Sequence, residues 1–296
     1  MVKCYNKFPS FMRGTLFVVA TPIGNLDDIS ARALRVLREV SVIAAEDTRR
    51  TRHLLARYAI QTPTSSLHEH NERAKTSLFL ARLEAGEAIA LVCDAGTPTL
   101  ADPGRRFVQA VRTRGIAVVP IPGPSAILAA LSVSGFDADT FTFMGFPPVR
   151  SKDRSLWFEA VRCAGRAVVF FEAPHRILAT LNDLQASTGD CEVMVAREMT
   201  KMHETFVKGP ISDVLKQVSA ARGEYTVVAD IGVMTNKEPA SDPNPDEVAN
   251  LFYRMTEYGG MSRRKAITEL ARRYRRRSRE VYALIEKHKN RVSIDQ

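Results

Sequence analysis

Residues 93–104, Cys-Asp-Ala-Gly-Thr-Pro-Thr-Leu-Ala-Asp-Pro-Gly, place two Asp, two Gly and two Pro directly behind the apolar run Ala88–Val92. The first half has the composition of a ligand loop. Asp94 accepts hydrogen bonds from a hydroxyl or amine, Gly96 lets backbone approach a ligand closely, and Pro98 stiffens the turn. Open α/β sheets bind ligands just past the carboxyl ends of their strands. The plainer reading is a tight strand–helix turn in which Asp94 satisfies loop N–H groups. The second half needs no ligand: Asp102 is expected to cap a helix, with Pro103 at its first position and Gly104 allowing close packing.

Two more Pro/Gly loops follow apolar runs, Ala-Thr-Pro-Ile-Gly-Asn at 20–25 and Pro-Ile-Pro-Gly-Pro-Ser-Ala at 120–126. Neither is a G-x-G-x-x-G fingerprint and the chain has no G-x-x-x-x-G-K-[ST], so an ordinary dinucleotide or triphosphate site is not expected. Other groups able to do acid–base or phosphate chemistry are Glu46, Asp47, Arg49, His68, Asn71, Glu72, Glu172, Arg176, Glu198, Lys201 and Glu204. Glu46 to Arg49 read equally as a capped helix start with intrahelical ion pairs. Lys201 is a base if its pKa is depressed and a phosphate-binding cation if not. His68 and His70 share a face only on a strand, and no metal site is expected. Cys4, Cys93, Cys163 and Cys191 lie far apart without metal-ligand spacing, and no disulfide is expected.

The elements that must hold these groups alternate. Short apolar runs at 15–20, 41–45, 88–93 and 116–121 are separated by segments with helical spacing, which predicts an α/β fold with a mainly parallel sheet covered on both faces. This first lobe is expected over 14–143, after an N-terminal tail, 1–13, in which Met12 is an alternative start. A second α/β lobe is expected over 144–235, a polar linker over 236–245, and a basic helical domain over 246–296 with Ser262 and Ser278 as N-caps. Between Gly259 and Arg291 stand twelve Lys or Arg and three Glu, a net +9 equal to that of the whole 296-residue chain. Such a block points to a polyanionic partner. The N-terminus lacks the apolar core of a signal peptide and no run reaches membrane-span length, so a cytoplasmic protein is expected.

Taken together, TPIGNLDDIS, AAEDTRRTRHLL, HEHNE, CDAGTPTLADPG, PIPGPSA, GFPP, FFEAPHRI and VAREMTK resemble the tetrapyrrole-methylase superfamily, and within it the bacterial 2′-O-methyltransferases of 16S ribosomal RNA. The resemblance runs from about Gly14 to about Gly232, and the tail after Asp246 is similar to that group's C-terminal helices. It implies a two-lobed fold with a helix-turn-helix-like tail, a homodimer, S-adenosylmethionine as methyl donor, and a cytidine 2′-hydroxyl of the decoding region in the small subunit as acceptor. Under it, Pro22, Asp94, Ala95, Gly96, Pro98, Ser125, Ala126, Phe171 and Glu172 are the expected cofactor residues. Lys201, Glu198 and Glu172 are the catalytic candidates. Arg49, Arg176, Arg272, Arg273, Arg275, Arg276 and Arg277 are the expected RNA contacts. Such methyl transfer needs no metal.

Two rival readings stay open. A small tetrapyrrole is the acceptor elsewhere in the superfamily, although such an enzyme has no need of a basic tail. The tail alone has the apolar spacing of a helix-turn-helix, with Ala266, Ile267, Leu270 and Ala271 facing Val281, Tyr282 and Ile285, which fits a ligand-sensing DNA-binding regulator.

Overall fold

The computed structural model describes residues 14–219, 223–232, 245–253, 255–256, 261–274 and 277–292. The expected N-terminal tail and the linker up to residue 244 lie outside the described residues. The chain divides into two compact units, Met1–Val233 and Met234–Gln296.

In the first unit, β1 (Thr15–Val19) leads through a 3-10 turn, Leu26–Asp28, to α1 (Ala31–Glu39) and β2 (Val42–Ala45). Then come α2 (Thr48–Arg57), β3 (Thr64–Ser66), α3 (Glu72–Glu84), β4 (Ile89–Val92), α4 (Arg105–Thr113), β5 (Ala117–Ile121) and α5 (Ala126–Ser134). The five strands form one sheet, β3-β2-β4-β1-β5, in which every pairing is parallel. Period-two alternation divides its side chains between two cores. Phe17, Ile43, Ala90 and Val92 meet α1 and α2 on one face. Leu16, Val42, Ile89 and Leu91 meet Phe79 of α3 and Phe107 of α4 on the other. A strand buried on both faces must be apolar throughout, as β4 is.

The rest of the unit is β6 (Phe141–Phe143), α6 (Ser151–Arg162), β7 (Ala167–Glu172), α7 (Ile177–Thr188), β8 (Glu192–Arg197), β9 (Thr205–Pro210), α8 (Ile211–Gln217) and β10 (Tyr225–Asp230). These strands form a second sheet, β6-β7-β10-β8-β9, parallel only between β6 and β7. Phe141–Phe143, expected in the first lobe, is therefore hydrogen-bonded in the second sheet. Helix α5 also crosses over. It follows β5, yet Ile127, Ala130 and Leu131 pack on Val169, Met194, Ala196 and Val228 of the second sheet. The side of α5 turned away from that sheet is apolar too, and it leaves Leu128 and Val133 exposed.

The second unit contains α9 (Pro245–Tyr253), α10 (Arg263–Arg273) and α11 (Ser278–Val292), around Val248, Phe252, Ala266, Leu270, Val281 and Ile285. Tyr282, expected in that packing, is 54% exposed. Ser278 is the first helical residue rather than the cap; Glu280 reaches back to accept the Arg277 N–H at 3.1 Å. No described helix is long and apolar enough to cross a membrane.

Candidate active site

The carboxyl ends of β1, β2 and β4 converge. Backbone of the first Pro/Gly loop pairs with the stretch after β4: Thr21 N–H donates to Gly96 O at 2.9 Å, and Gly96 N–H to Thr21 O at 3.0 Å. The loop after β2 is tied to the same stretch. Asp94 Oδ1 accepts the Asp47 N–H at 3.0 Å, Glu46 Oε2 accepts the Asp94 N–H at 3.3 Å, and Arg50 lies 3.3 Å from Asp94 Oδ2. The third loop closes on it where Thr97 Oγ1 donates to Pro124 O at 3.4 Å. Ser125 then caps α5, accepting the Leu128 N–H at 3.4 Å.

These loops face the second sheet across a cavity of about 390 Å³. One wall is Glu46, Arg50, Asp94–Thr97, Leu100–Asp102 and Ser125–Ile127; the other is Phe146, Phe171–Pro174 and Gly223–Thr226. Phe171 stands edge-on to Phe143 at 5.1 Å and beside Phe146 at 5.5 Å, so its ring packs on the core under α5 and also lines the cavity. A smaller cavity of about 80 Å³, lined by Thr21, Pro22, Leu26, His53 and Leu54 among others, shares Arg50 and Asp94 with the large one.

Burial, then the charge of Asp102, push the Glu46 carboxyl above the ordinary glutamate value. Burial raises Asp102 as well, against a hydrogen bond from the Cys93 thiol. Burial likewise pushes the Cys93 thiol far up, which keeps it protonated. The loops are also strained. Thr99 (φ 73°), Ala101 (φ 64°), Glu198 (φ 52°) and Thr200 (φ 67°) are left-handed non-glycine residues, and such conformations cluster at functional sites.

Of the expected cofactor residues, Asp94, Ala95, Gly96, Ser125, Ala126, Phe171 and Glu172 line the large cavity. Pro22 lines the small one and Pro98 lines neither. The catalytic candidates all sit in ion pairs. Partial burial opposes the Lys201 charge, but Glu198 at 2.8 Å and Glu224 at 3.2 Å outweigh it and hold the ammonium above the ordinary lysine value. Of the two roles left open for Lys201, this ion pairing favours the cation. Glu198 is desolvated too, yet Lys201 and the Glu224 N–H keep it ionised and its pKa low. Glu172 is 2% exposed; it accepts the Ala173 N–H at 2.7 Å and the Thr180 hydroxyl, and lies 3.3 Å from Arg176.

Arg176, expected on RNA, donates to Pro147 O and faces Glu172. Arg49 is on the surface, paired to Asp47 at 2.8 Å. Arg277 is exposed, whereas the side chains of Arg272 and Arg273, and Arg275 and Arg276 altogether, lie outside the described residues. Asp102 caps nothing: α4 starts at Arg105 behind Gly104, and the Asp102 carboxylate turns to the cavity. Arg50, Phe146 and Tyr225 also line it, and none stood out in the sequence.

Gly24 explains how distant loops meet. A Cβ there would lie 2.6 Å from Lys201 Cγ and 2.8 Å from Met199 O, so glycine lets the first loop touch the loop after β8. Asn25 N–H donates to Thr200 Oγ1 at 2.9 Å across the same contact.

Residues 15–215 match the family of Tetrapyrrole (Corrin/Porphyrin) Methylases. A Pseudomonas aeruginosa protein named ribosomal RNA small subunit methyltransferase I is 47% identical over 220 residues, 73% of this chain and 78% of that one. A Synechocystis relative of the same name is 40% identical over 275 residues, 92% of this chain and 97% of that one. The chain belongs to the tetrapyrrole methylase family, in its ribosomal RNA small subunit methyltransferase I branch. The tetrapyrrole-methylase fold is shared with the uroporphyrin-III C-methyltransferase of Thermus thermophilus, solved with S-adenyl homocysteine. That match has TM-score 0.54 at 16% identity and covers 73% of this chain and 98% of that one. This tetrapyrrole methylase is thus a methyl-transferring enzyme, and most residues lining the large cavity fall within its family region.

Proposed function

We propose that the enzyme methylates a cytidine 2′-oxygen in the decoding region of 16S ribosomal RNA, with S-adenosylmethionine bound in the 390 Å³ cavity. The observation that carries this reading is a cavity at the ends of β1, β2 and β4, in a chain alike along 92% of its length to a ribosomal RNA methyltransferase. The lining fits the donor. Phe146 and Phe171 offer faces to a purine, Asp94 and Asp102 offer acceptors to hydroxyl and ammonium groups, and the α5 N-terminus offers N–H groups to a carboxylate.

When bound, S-adenosylmethionine supplies a methyl group already activated on a cationic sulfur. The chain's own work is then orientation and proton transfer. Glu46 is the carboxylate best placed to take the hydroxyl proton, since burial keeps it more basic than a free glutamate. Arg50 is the single cation among the described lining residues of a cavity that also bears Glu46, Asp94, Asp102, Glu172 and Glu224. It offers the RNA backbone its point of attachment beside the acceptor. Arg49 and Arg52 continue the basic rim along α2.

We also infer a homodimer in the cytoplasm, to be tested by sedimentation and by cell fractionation. The decisive assay supplies methyl-labelled S-adenosylmethionine with assembled small subunits, bare 16S RNA or free tetrapyrrole, and maps the label. Alkali-resistant label at one cytidine ribose is expected. Label on tetrapyrrole alone would transfer the enzyme to the small-molecule class, and DNA binding without any transfer would leave a regulator.

A further inference from the structure

We propose that Glu72 is a positioning residue for the donor-binding loop, holding the far end of residues 93–104 through the N-terminus of α4. The proposal rests on the reading that this loop contacts S-adenosylmethionine. Helix α4 cannot cap itself: its N-cap is Gly104, which has no side chain and sits at φ 109°. The first N–H groups of a helix need partners from elsewhere. Glu72 supplies them from another helix. Its Oε1 accepts the N–H groups of Gly104 at 3.1 Å, Arg106 at 2.9 Å and Phe107 at 3.2 Å. A carboxylate at that end also meets the positive pole of the helix.

Glu72 is only 7% exposed, and a polar side chain so buried needs the hydrogen bonds that these N–H groups supply. It is itself the first residue of α3, and its neighbour Asn71 is fixed in turn, accepting the His68 N–H at 2.9 Å and donating to Ser66 Oγ at 3.1 Å. Leu91 of β4 lies so close beneath Gly104 that a Cβ there would sit 2.8 Å from Leu91 Cδ2. The loop is therefore held at its start, by the ties of Asp94, the Thr21 bridge at Gly96 and the Thr97 contact with Pro124 O, and at its far end by Glu72 at Gly104 over β4. Between the two ends stand left-handed Thr99 and Ala101, and Leu100, Ala101 and Asp102 form part of the cavity wall. Strained residues keep their shape only where neighbouring contacts over-determine it. Removing the hold at the far end releases that segment of wall while every cavity side chain stays present.

The test uses the full-length enzyme, calorimetry with S-adenosylhomocysteine, and initial rates on small subunits. Glu72→Ala should raise the dissociation constant and the donor KM on the order of tenfold, a typical loss for hydrogen bonds to a charged group. The maximal rate at saturating donor and the KM for the subunit should change far less, and Glu72→Gln, which keeps an acceptor oxygen, should restore most of the affinity. Unchanged donor affinity in folded Glu72→Ala, or equal losses in all three kinetic constants, would overturn the proposal. Should Glu72→Ala fail to fold, hydrogen exchange of the wild type decides. The amides of Arg106 and Phe107 should gain protection when S-adenosylhomocysteine binds, and no gain counts against the linkage. A wild-type enzyme that binds no S-adenosylhomocysteine would instead remove the reading of the cavity itself.

Discussion

At the scale of single residues, the site separates groups kept charged from two carboxylates, Glu46 and Asp102, that burial makes more basic. Lys201 and Glu198 stabilise each other's ionised forms. Glu46 is raised by burial and by Asp102. A base must be deprotonated to act, so kcat/KM should fall as pH drops through a midpoint above the free-glutamate value of about 4.3. Glu46→Gln should abolish that limb and lower the rate by about 10²–10⁴-fold; a pH–rate profile of both enzymes checks this. The sign for stability is opposite to that for rate. A raised folded pKa contributes stability below the unfolded pKa, and this is lost as pH rises through the folded value. Glu46→Gln should therefore melt above wild type at neutral pH, with the difference gone below about pH 4. Gly96 makes a second residue-scale test. A Cβ there finds ordinary van der Waals spacing, 3.5 Å from Ile23 Cγ2, but the residue sits at φ 82°. The cost of substitution is thus conformational. Gly96→Ala should lose about 1–2 kcal/mol in urea unfolding, and Gly96→Val more, with weaker donor binding in both.

At the scale of elements, two arginines clamp the loop that bears Phe146. Arg176 donates to Pro147 O and faces buried Glu172, while Arg154 donates to Pro148 O at 3.4 Å, to Thr180 Oγ1 at 2.9 Å and to Asp183 at 2.8 Å. Thr180 in turn donates to Glu172, so α6, α7 and the end of β7 share one polar network. Removing one partner of a buried ion pair leaves the other uncompensated. Arg176→Ala should destabilise by about 3–5 kcal/mol, whereas the double variant Arg176→Met with Glu172→Met should lose less. Urea titration of the single and double variants distinguishes this network from a surface pairing, which would cost under about 1 kcal/mol.

At the scale of the whole molecule, charge and cavity lie in different compact units. The cavity lines within Met1–Val233, whereas the segment from Gly259 to Arg291 carries the net +9. The expected division is that the tail docks on RNA through phosphates, which position a protein without reading bases. Neutralising Arg272, Arg273, Arg275, Arg276 and Arg277 should weaken RNA binding. The log–log salt slope should flatten by about 0.7–0.9 for each phosphate that the variant leaves unneutralised. Donor affinity should not change. Equal affinities across the salt series would leave the tail as a structural element.

Local pattern alone determined the alternation of strands and helices, because apolar runs and turn residues report burial over a few neighbours. It placed Asp94, Gly96, Ser125 and Ala126 at strand ends, and the cavity lies there. It also located the basic tail, since charge is read directly from composition. What only the tertiary structure decided were pairings over long separations. Asp102 reads locally as a cap, but the capping carboxylate is Glu72, some thirty residues upstream. Helix α5 reads as covering the first sheet and packs on the second, because its apolar periodicity cannot name its partner. Lys201 reads as a base or as a cation, and the choice waits on Glu224, which folding brings within 3.2 Å. Hydrophobic periodicity encodes which side of an element is buried. Which groups meet there depends on chain crossovers and left-handed turns that no local window contains.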